Sequence, residues 1–168
     1  MDELSFRIAG AGDWPAIWPI WHSVVAAGDT YTWDPATRED QARQLWMPPA
    51  PAVTVVAERT AGRTTRVVAT ALLKPVQPGL GDHVANAGFM VDPQLAGSGI
   101  GRALAEFVLD EARRRGYLAM QFSAVVETNT RAVRLWKSLG FTIIGTVPGA
   151  FRHPASGLVG LHIMHRTL

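Results

Sequence analysis

The part of the sequence with the clearest chemical potential is a glycine-rich turn in the middle of the chain. Gly97, Gly99 and Gly101 alternate with other residues, after an apolar segment that Pro93 ends and before an amphipathic one. Main-chain N–H groups at such a turn have no partners inside the following helix. With the dipole of that helix behind them, they form a site for an anion such as a diphosphate. Glycine permits close approach of a ligand and a positive φ.

Two other phosphate-binding motifs are excluded by the residues that follow this turn. The nucleotide P-loop has Gly-Lys-Ser/Thr at the start of its helix, whereas Gly101 is followed by Arg102 and Ala103. The dinucleotide-binding fingerprint requires a third glycine where Arg102 stands. For the glycines taken alone, the remaining alternative is an ordinary tight entry into a helix without a ligand.

Two polar residues on the strand before the turn could take part in chemistry. Histidine exchanges protons near neutral pH, so His83 is a candidate general base, directly or through water. The alternative for His83 is a polar residue at a strand end with no catalytic role. Asn86 cannot take up a proton, but it could orient an amine, a carboxylate or a water. Asparagine is disfavoured in strands, and this placement therefore predicts a role for Asn86.

The elements that must position these residues follow from the hydrophobic pattern of the chain. Alternating or continuous apolar runs predict strands, and apolar residues three and four apart predict helices. The predicted strands are Leu4–Ala9, Val53–Glu58, Arg66–Leu73, Val84–Val91, Met120–Val126, Phe141–Val147 and Leu158–His165. The predicted helices are a first one that Asp13 caps and that passes through Val25, then Thr37–Trp46, Ile100–Arg115 and Asn129–Leu139.

This order of elements, β-α-α-β-β-β-α-β-α-β-β, predicts an α+β fold with a mixed, mostly antiparallel sheet. A turn at Ala61 and Gly62 joins the second and third strands as a hairpin. A doubly wound nucleotide-binding fold would need alternating βαβ units throughout, and the pattern lacks them. The chain has neither an internal repeat nor a long linker, so residues 1–168 form one predicted domain.

Composition narrows the classes of function. Hydrophobic residues make up 48% of the 168 residues and charged residues 18%, as expected of a folded domain. A formal net charge of +2 is too small to indicate a nucleic-acid-binding surface. The sequence has no cysteine, which excludes thiolate metal sites and cysteine nucleophiles, and its histidines show no metal-ligand spacing. No apolar run approaches the ~18 residues of a membrane span, and a cytoplasmic location is expected.

Two motifs give the sequence a family resemblance. Gln94-x-x-Gly97-x-Gly99 resembles the Q/R-x-x-G-x-G/A motif of the GCN5-related N-acetyltransferase (GNAT) superfamily. The segment Asn129–Phe141 resembles the N-x-x-A-x-x-L-Y-x-x-x-G-F helix and turn of the same superfamily. The two motifs have the order and spacing expected of that superfamily, and the resemblance extends from about Val67 to the C-terminus.

The resemblance implies a GNAT fold, with flanking helices and a sheet that splays between strands four and five, and acetyl-CoA as the cosubstrate. It implies that the main chain of Ala96–Arg102 binds the CoA diphosphate, and that pantetheine pairs with strand four, where Gly88 favours a bulge. A main-chain N–H near Phe89 or Met90 could donate to the thioester oxygen. The implied cofactor-binding residues are Phe89, Met90, Val91, Gln94, Ala96, Gly97, Ser98, Gly99, Ile100, Gly101, Arg102, Asn129 and Trp136. The resemblance also favours a homodimer.

A closer resemblance links the chain to the yeast-type azetidine-2-carboxylate (proline analogue) N-acetyltransferases. Residues 82–89 are similar to the H-x-x-N-x-G-F pattern on strand four of that subgroup. Residues 122–129 are similar to its F-N-x-x-x-E-T-N pattern on strand five. The chain departs from the subgroup at Ser123, where the subgroup has asparagine.

The residues that handle protons differ from those of the superfamily. Many members have a tyrosine acid where this chain has Trp136, whose indole N–H cannot act as an acid near neutral pH. The CoA thiolate then leaves unprotonated or receives a proton from water, Ser123 or Tyr117, while Trp136 packs against CoA or the core. Asn129 could hydrogen-bond pantetheine or the substrate, and it is also a favourable helix N-cap. The predicted catalytic residues are Asn86, His83, Asn129 and Ser123.

The side of the site that binds the acetyl acceptor is predicted in the loop Gly28–Pro35. Tyr31 and Trp33 could form the walls of a small pocket. Asp29 or Asp34 could attract an ammonium group, or could belong to an ordinary turn before the next helix. The predicted substrate-binding residues are Asp29, Tyr31, Trp33 and Asn86.

Three functions follow from these expectations. The first is transfer of the acetyl group of acetyl-CoA to a small primary or secondary amine, such as an amino acid or an analogue. The second is acetylation of protein N-termini or lysines, which an open groove would favour over a closed pocket. The third, motivated by the missing tyrosine, is a catalytically inactive CoA-binding module. None of the three requires a nucleic acid, a membrane or a metal.

Overall fold

The computed structural model describes residues 3–168 and contains the predicted order of strands and helices. The strands are β1 Glu3–Ile8, β2 Val53–Ala61, β3 Thr64–Pro75, β4 Val84–Val91, β5 Ala119–Val126, β6 Thr142–His153 and β7 Gly157–Thr167. The helices are α1 Trp14–Ala27, α2 Glu39–Trp46, α3 Ile100–Arg114 and α4 Thr130–Ser138. Within the described range, no helix combines the length and the apolar character needed to cross a membrane.

The strands form one seven-stranded sheet in the order β1-β2-β3-β4-β5-β7-β6. Neighbouring strands are antiparallel except β4 and β5, which are parallel. Main-chain pairing between β4 and β5 is limited to Val84 with Ala119 and Ala85 with Met120, after which the two strands diverge. The predicted α+β fold and the predicted splay between strands four and five are thus confirmed.

Helices cover both faces of the sheet, and each face has its own apolar core. The alternation of side chains along β3 shows the division, since Leu73 faces one cluster and Leu72 the other. The α3 and α4 face contains Leu104, Val108, Met120, Phe122, Trp136 and Phe141. The α1 and α2 face contains Trp14, Trp21, Trp46, Val56, Leu72 and Met90. Each large side chain buried in this way contributes about 1.5–3 kcal/mol to folding.

The starts of α1 and α2 differ in detail from the predictions. Asp13 is the N-cap of α1, but its side chain makes no capping hydrogen bond and instead accepts from Arg7 at 2.8 Å. The Arg7 guanidinium holds the pKa of Asp13 below its usual value. α2 has Arg38 as its N-cap, because the Thr37 hydroxyl donates to the carbonyl oxygen of Asp34. A local side-chain partner therefore decides both helix starts.

The last two strands extend further than their hydrophobic pattern predicts. β6 continues past Val147 to His153, and β7 begins at Gly157. The β6–β7 register shifts between Ile143 and Gly145, and again between Val147 and Phe151. Each irregularity interrupts the period of two on which a sequence-based assignment depends, and the prediction for strand six therefore ends too early.

Candidate active site

The base of the gap between β4 and β5 is closed by a side chain. Asn86 Nδ2 donates to the carbonyl oxygen of Gln121 at 3.0 Å, directly beyond the last main-chain pair of the two strands. On β5, the register against β7 shifts between Phe122 and Val125, so the bulge falls at Ser123 and the residue after it. Asn86 thus fixes where the strands separate, and the β5 bulge turns the strand away from the gap.

A cavity of about 500 Å³ passes through the sheet at this gap. Its lining includes residues of both core faces, because the diverging strands leave the two sides of the sheet connected. On the α1 and α2 side it is lined by Thr30, Tyr31, Trp33, Trp46, Leu72 and Lys74. On the α3 and α4 side it is lined by Phe89, Phe122, Asn129, Ala132 and Trp136. A cavity of this size can hold a small ligand on one face of the sheet in contact with a second ligand on the other face.

An aromatic cluster forms the wall on the α1 and α2 side. The rings of Tyr31 and Trp33 stack with centroids 5.1 Å apart and an interplanar angle of 10°. Trp46 meets both rings edge-on, at 6.2 Å from Tyr31 and 6.0 Å from Trp33. Trp46 is itself anchored, since its Nε1 donates to the Thr70 hydroxyl at 3.0 Å in the core. The pocket wall predicted from Tyr31 and Trp33 is therefore present and rigidly supported.

The Tyr31 hydroxyl lies inside the gap, on the main chain of β4. It accepts from the N–H of Phe89 and donates to the carbonyl oxygen of Phe89, each at 2.9 Å. The carbonyl oxygen of His83 accepts from the N–H of Leu118, just before β5, and so faces the β5 side. Main-chain groups alternate in direction along a strand, and Phe89 lies six residues after His83, so its N–H and C=O face the same side. Burial raises the pKa of Tyr31. The hydroxyl thus occupies the main-chain positions that a neighbouring strand would otherwise use.

Gly88 provides the space for this contact rather than the predicted bulge. The pairing of β3 with β4 runs through Gly88 without a register shift, so the bulge expected there is absent. A β-carbon at Gly88 would lie 3.1 Å from the Tyr31 hydroxyl and 3.2 Å from the Trp46 ring. A side chain at this position would press on two aromatic rings that pack directly on the strand, which favours glycine.

The glycine turn after β4 has the geometry of an anion site. Gly97 and Gly99 have φ values of 86° and 84°, which favour glycine strongly. The amides of Ala96 and Ser98 are used within the turn, donating to Pro93 and Leu95. Across residues 3–168, no partner is found for five other amides, those of Gly97, Gly99, Ile100, Gly101 and Arg102. These five donors in the turn and the first residues of α3 form a site of the kind that binds an anion.

Two long side chains flank the turn in different ways. Arg102, predicted to bind the cofactor, donates to the Ser138 hydroxyl at 2.6 Å and so ties α3 to α4. Arg131 lies directly against the turn, because a β-carbon on Gly97 would be 2.9 Å from its Nη2. The sequence reasoning missed Arg131, which is a variable position inside the helix motif. Its guanidinium adds a positive charge to the same anion site.

The structure brings together most of the predicted residues, but not all. Of the predicted catalytic residues, Asn86, Ser123 and Asn129 line the cavity. His83 is exposed before the start of β4 and is absent from the lining, and its role as a base through water stays a prediction. Asp29 is also exposed and outside the lining, in contrast to the expectation that it contacts the acceptor.

For Trp136 and Asn129 the sequence left two roles open, packing or capping on the one hand and contact with a ligand on the other. Trp136 is buried, with its ring centroid 4.7 Å from that of Phe122 and 5.0 Å from that of Phe89, and it forms part of the cavity wall. Asn129 caps α4, where its Oδ1 accepts from the N–H of Ala132 at 3.3 Å. The amide nitrogen of Asn129 has no partner in residues 3–168 and remains available to a ligand.

The lining of the cavity carries positive charge and no negative charge within the described residues. Of the residues in the described range, the lining contains neither a carboxylate nor an imidazole, and Lys74 is its single charged residue. Lys74 pairs in register with Asn86 at the end of β3, after six buried residues. The Thr30 hydroxyl, also in the lining, is buried without a hydrogen-bond partner. Both residues were missed by the sequence reasoning, although a lysine that ends an apolar strand is a detectable signal.

Comparisons with known proteins agree with this geometry. The model of the acetyltransferase (GNAT) family matches residues 17–141. A GCN5-related N-acetyltransferase from Kribbella flavida has a similar structure, with a TM-score of 0.91, 51% identity and 98% of each chain covered. The Salmonella typhimurium protein yncA, solved with its cofactor acetyl-CoA, gives a TM-score of 0.80 at 25% identity, covering 99% of this chain and 94% of that one. The N-acetyltransferase aca1 of Schizosaccharomyces pombe is 39% identical over 88 residues, 52% of this chain and 42% of that protein.

The fold and the site together define an acyltransferase of the class that uses acetyl-CoA as cosubstrate. The chain belongs to the acetyltransferase (GNAT) family, whose model matches well over half of its length. The chain spans 42% of the length of aca1 and 12% of the length of the Saccharomyces cerevisiae protein SPT10, both curated relatives.

Proposed function

We propose that this protein is an N-acetyltransferase that moves the acetyl group of acetyl-CoA directly to a small primary or secondary amine, an amino acid or an analogue. The observation that carries the proposal is the cavity of about 500 Å³ that passes through the sheet between β4 and β5. The residues of its lining lie on both faces of the sheet, and the α1 and α2 side is walled by aromatic rings. Two substrates can therefore approach the same gap from opposite faces.

The CoA side is supported by the anion site at the start of α3. The free amides of Gly97, Gly99 and Gly101, with Arg131 beside them, suit a diphosphate. From there the pantetheine arm would follow the edge of β4 toward Phe89, in the place of a neighbouring strand. The Asn129 amide nitrogen, without a partner in residues 3–168, is positioned to donate to that arm.

The acceptor side is supported by its charge and by its unpaired polar groups. Lys74, as the single charged residue of the described lining, favours an acceptor that carries a carboxylate. The partnerless hydroxyl of Thr30 can hydrogen-bond the same carboxylate. Tyr31, Trp33 and Trp46 enclose the apolar part of the acceptor. A free amino acid combines these properties, and the motif resemblance favours a proline-like or azetidine-like one.

The reaction needs the acceptor nitrogen without its extra proton. The described lining has no carboxylate or imidazole, so this proton passes to water and not to a residue of the cavity. Asn86 orients the amine, because its Nδ2 is held by Gln121 while its Oδ1, without a partner in residues 3–168, can accept from the amine N–H. Ser123 lines the cavity on the bulge of β5, which supports a hydrogen bond from its hydroxyl to the leaving thiolate.

The homodimer and the cytoplasmic location remain predictions. The support for a dimer is an exposed apolar surface on the edge hairpin of the sheet, at Ile144, Val147 and Leu158. Light scattering coupled to size exclusion measures the assembly directly. A mass of twice 18.2 kDa supports the dimer, and a mass of 18.2 kDa contradicts it.

A panel of acceptors tests the proposed function. Free amino acids, including proline and azetidine-2-carboxylate, are incubated with acetyl-CoA beside their carboxamides, polyamines and lysine-containing peptides. Thiol release is followed together with mass spectrometry of the products. We expect N-acetylation of free amino acids with the highest kcat/KM. Preferred acetylation of peptides would favour a protein acetyltransferase, and CoA binding without turnover on any amine would favour an inactive CoA-binding module.

A further inference from the structure

The Tyr31 hydroxyl occupies the point in the gap where acyl chemistry would take place. It bridges the N–H and the C=O of Phe89, at 2.9 Å each, on the β5-facing edge of β4. Main-chain pairing with β5 has already ended at Ala85, so no strand of the sheet satisfies these two groups. The hydroxyl makes the two hydrogen bonds that a paired strand would make with Phe89, and it lies on the proposed path of pantetheine.

Three features hold the hydroxyl at this position. The ring of Tyr31 stacks on Trp33 and meets Trp46 edge-on, which limits its movement. Gly88 leaves room for the hydroxyl, since a β-carbon there would approach it to 3.1 Å. The phenol of Tyr31 therefore pivots over a short distance at most when a ligand enters the gap.

A thioester oxygen that binds at Phe89 competes with the Tyr31 hydroxyl for one N–H. A main-chain N–H makes a single well-aligned hydrogen bond, so the hydroxyl must yield that donor to the ligand. When the hydroxyl leaves this N–H, it also leaves the C=O of Phe89 to which it donated. It then lies beside the thioester oxygen that has taken its place. We propose that Tyr31 is a catalytic residue that donates a second hydrogen bond, beside the N–H of Phe89, to the oxygen of the acetyl group.

The chemistry of the step assigns each electron pair and proton. The acceptor nitrogen attacks the carbonyl carbon, the C–N bond forms, and the π electrons move to the oxygen as an oxyanion. The N–H of Phe89 and the O–H of Tyr31 stabilise this oxyanion by hydrogen bonds. When the C=O bond re-forms, the C–S bond breaks, its electron pair leaves on sulfur, and the proton of the nitrogen passes to water. Because burial raises the pKa of Tyr31, the phenol keeps its own proton throughout.

The substitution Tyr31→Phe removes the hydroxyl and keeps the ring that stacks on Trp33. Removal of one donor from an oxyanion site lowers kcat on the order of a hundredfold, and we expect a loss of this size. The affinity for CoA without an acetyl group, measured by calorimetry, should be unchanged, because CoA lacks the thioester oxygen with which the hydroxyl competes. Thr60→Val, which removes a hydroxyl on β2 outside the cavity lining, is the control and should keep the wild-type kcat. A kcat of Tyr31→Phe within twofold of wild type would overturn the proposal.

A spectroscopic measurement keeps the proposal testable if Tyr31→Phe folds poorly. The wild-type protein is labelled with ¹³C at the tyrosine ζ-carbon, and its two tyrosine signals are assigned with Tyr117→Phe. We expect the Tyr31 signal to shift on addition of acetyl-CoA, and to shift less on addition of CoA. Equal shifts with both ligands would exclude contact with the acetyl oxygen.

A second sample of the wild-type protein, labelled with ¹⁵N, separates this inference from the thioester position on which it depends. If the amide signal of Phe89 responds to acetyl-CoA while the Tyr31 signal does not, only the role of Tyr31 is wrong. If neither signal responds although acetyl-CoA binds, the thioester does not bind at Phe89. Both the role of Tyr31 and the proposed path of pantetheine along β4 are then wrong.

Discussion

The guanidinium of Arg131, near the start of α4, lies against Gly97 in the turn before α3. A β-carbon on Gly97 would come within 2.9 Å of Arg131 Nη2. The turn thus combines unpaired amides from the start of α3 with a cation from α4, two elements separated in sequence by β5. A diphosphate bound there would be stabilised by both helices, which makes cofactor affinity sensitive to a residue outside the glycine motif.

We expect Arg131→Gln to weaken acetyl-CoA binding about fivefold, because one charge beside the diphosphate is lost at a partly exposed site. Calorimetric titration of acetyl-CoA measures the change. Arg134→Gln, at an exposed arginine one turn further along α4, is the matched control and should leave the affinity as in wild type. Equal effects of the two substitutions would show that Arg131 acts only through the net charge.

At the glycine turn itself, the substitutions Gly99→Glu and Gly99→Gln separate charge from strain. Both side chains have the same shape and suffer the same strain at a φ of 84°. Gly99→Glu adds a carboxylate beside the diphosphate, so we expect it to bind acetyl-CoA at least about tenfold more weakly than Gly99→Gln. Identical dissociation constants for the two variants would argue that no phosphate lies near Gly99.

Recognition of the acceptor is tested at Lys74. We expect Lys74→Met to raise the KM for an amino acid about tenfold and to leave the KM for its carboxamide unchanged, because only the first carries a carboxylate. Lys74→Arg keeps the positive charge and should retain most of the preference for the acid. If Lys74→Met changes both KM values equally, the lysine does not contact the carboxylate.

The substitution His83→Gln should leave the pH dependence of kcat/KM unchanged between about pH 6 and pH 8, because the His83 side chain is exposed and lies outside the cavity lining. The main-chain bond from Leu118 to the carbonyl of His83 does not involve the imidazole and is kept in the variant. Loss of an acidic limb in the variant would restore His83 as a general base through water.

Much of the fold was predictable because its signals are local. The strong apolar face of α3, the N-cap at Asn129 and the positive φ of Gly97 and Gly99 all follow from residues within a few positions of one another. The splay of the sheet followed from the family resemblance rather than from periodicity. The bulges in β5 and β6 were not predictable, because a bulge interrupts the alternation that identifies a strand.

The parts of the site that sequence reasoning missed depend on contacts between distant segments. Tyr31 was predicted as a pocket wall, but its bond to Phe89 joins residues 58 positions apart. Arg131 is on α4 and Lys74 on β3, and only the folded topology brings the first to the glycine turn and the second to the cavity lining. Residue type indicated His83 as a possible base without indicating where its side chain lies, and the structure leaves that side chain outside the cavity lining.

Addition of acetyl-CoA to the ¹⁵N-labelled protein, followed by its amide signals, tests the central claim most directly. The account predicts that the largest shifts on saturation occur at the free amides of the turn, Gly97, Gly99, Ile100, Gly101 and Arg102. Saturable binding that leaves all five signals in place would contradict the account, since the diphosphate would then lie elsewhere on the protein.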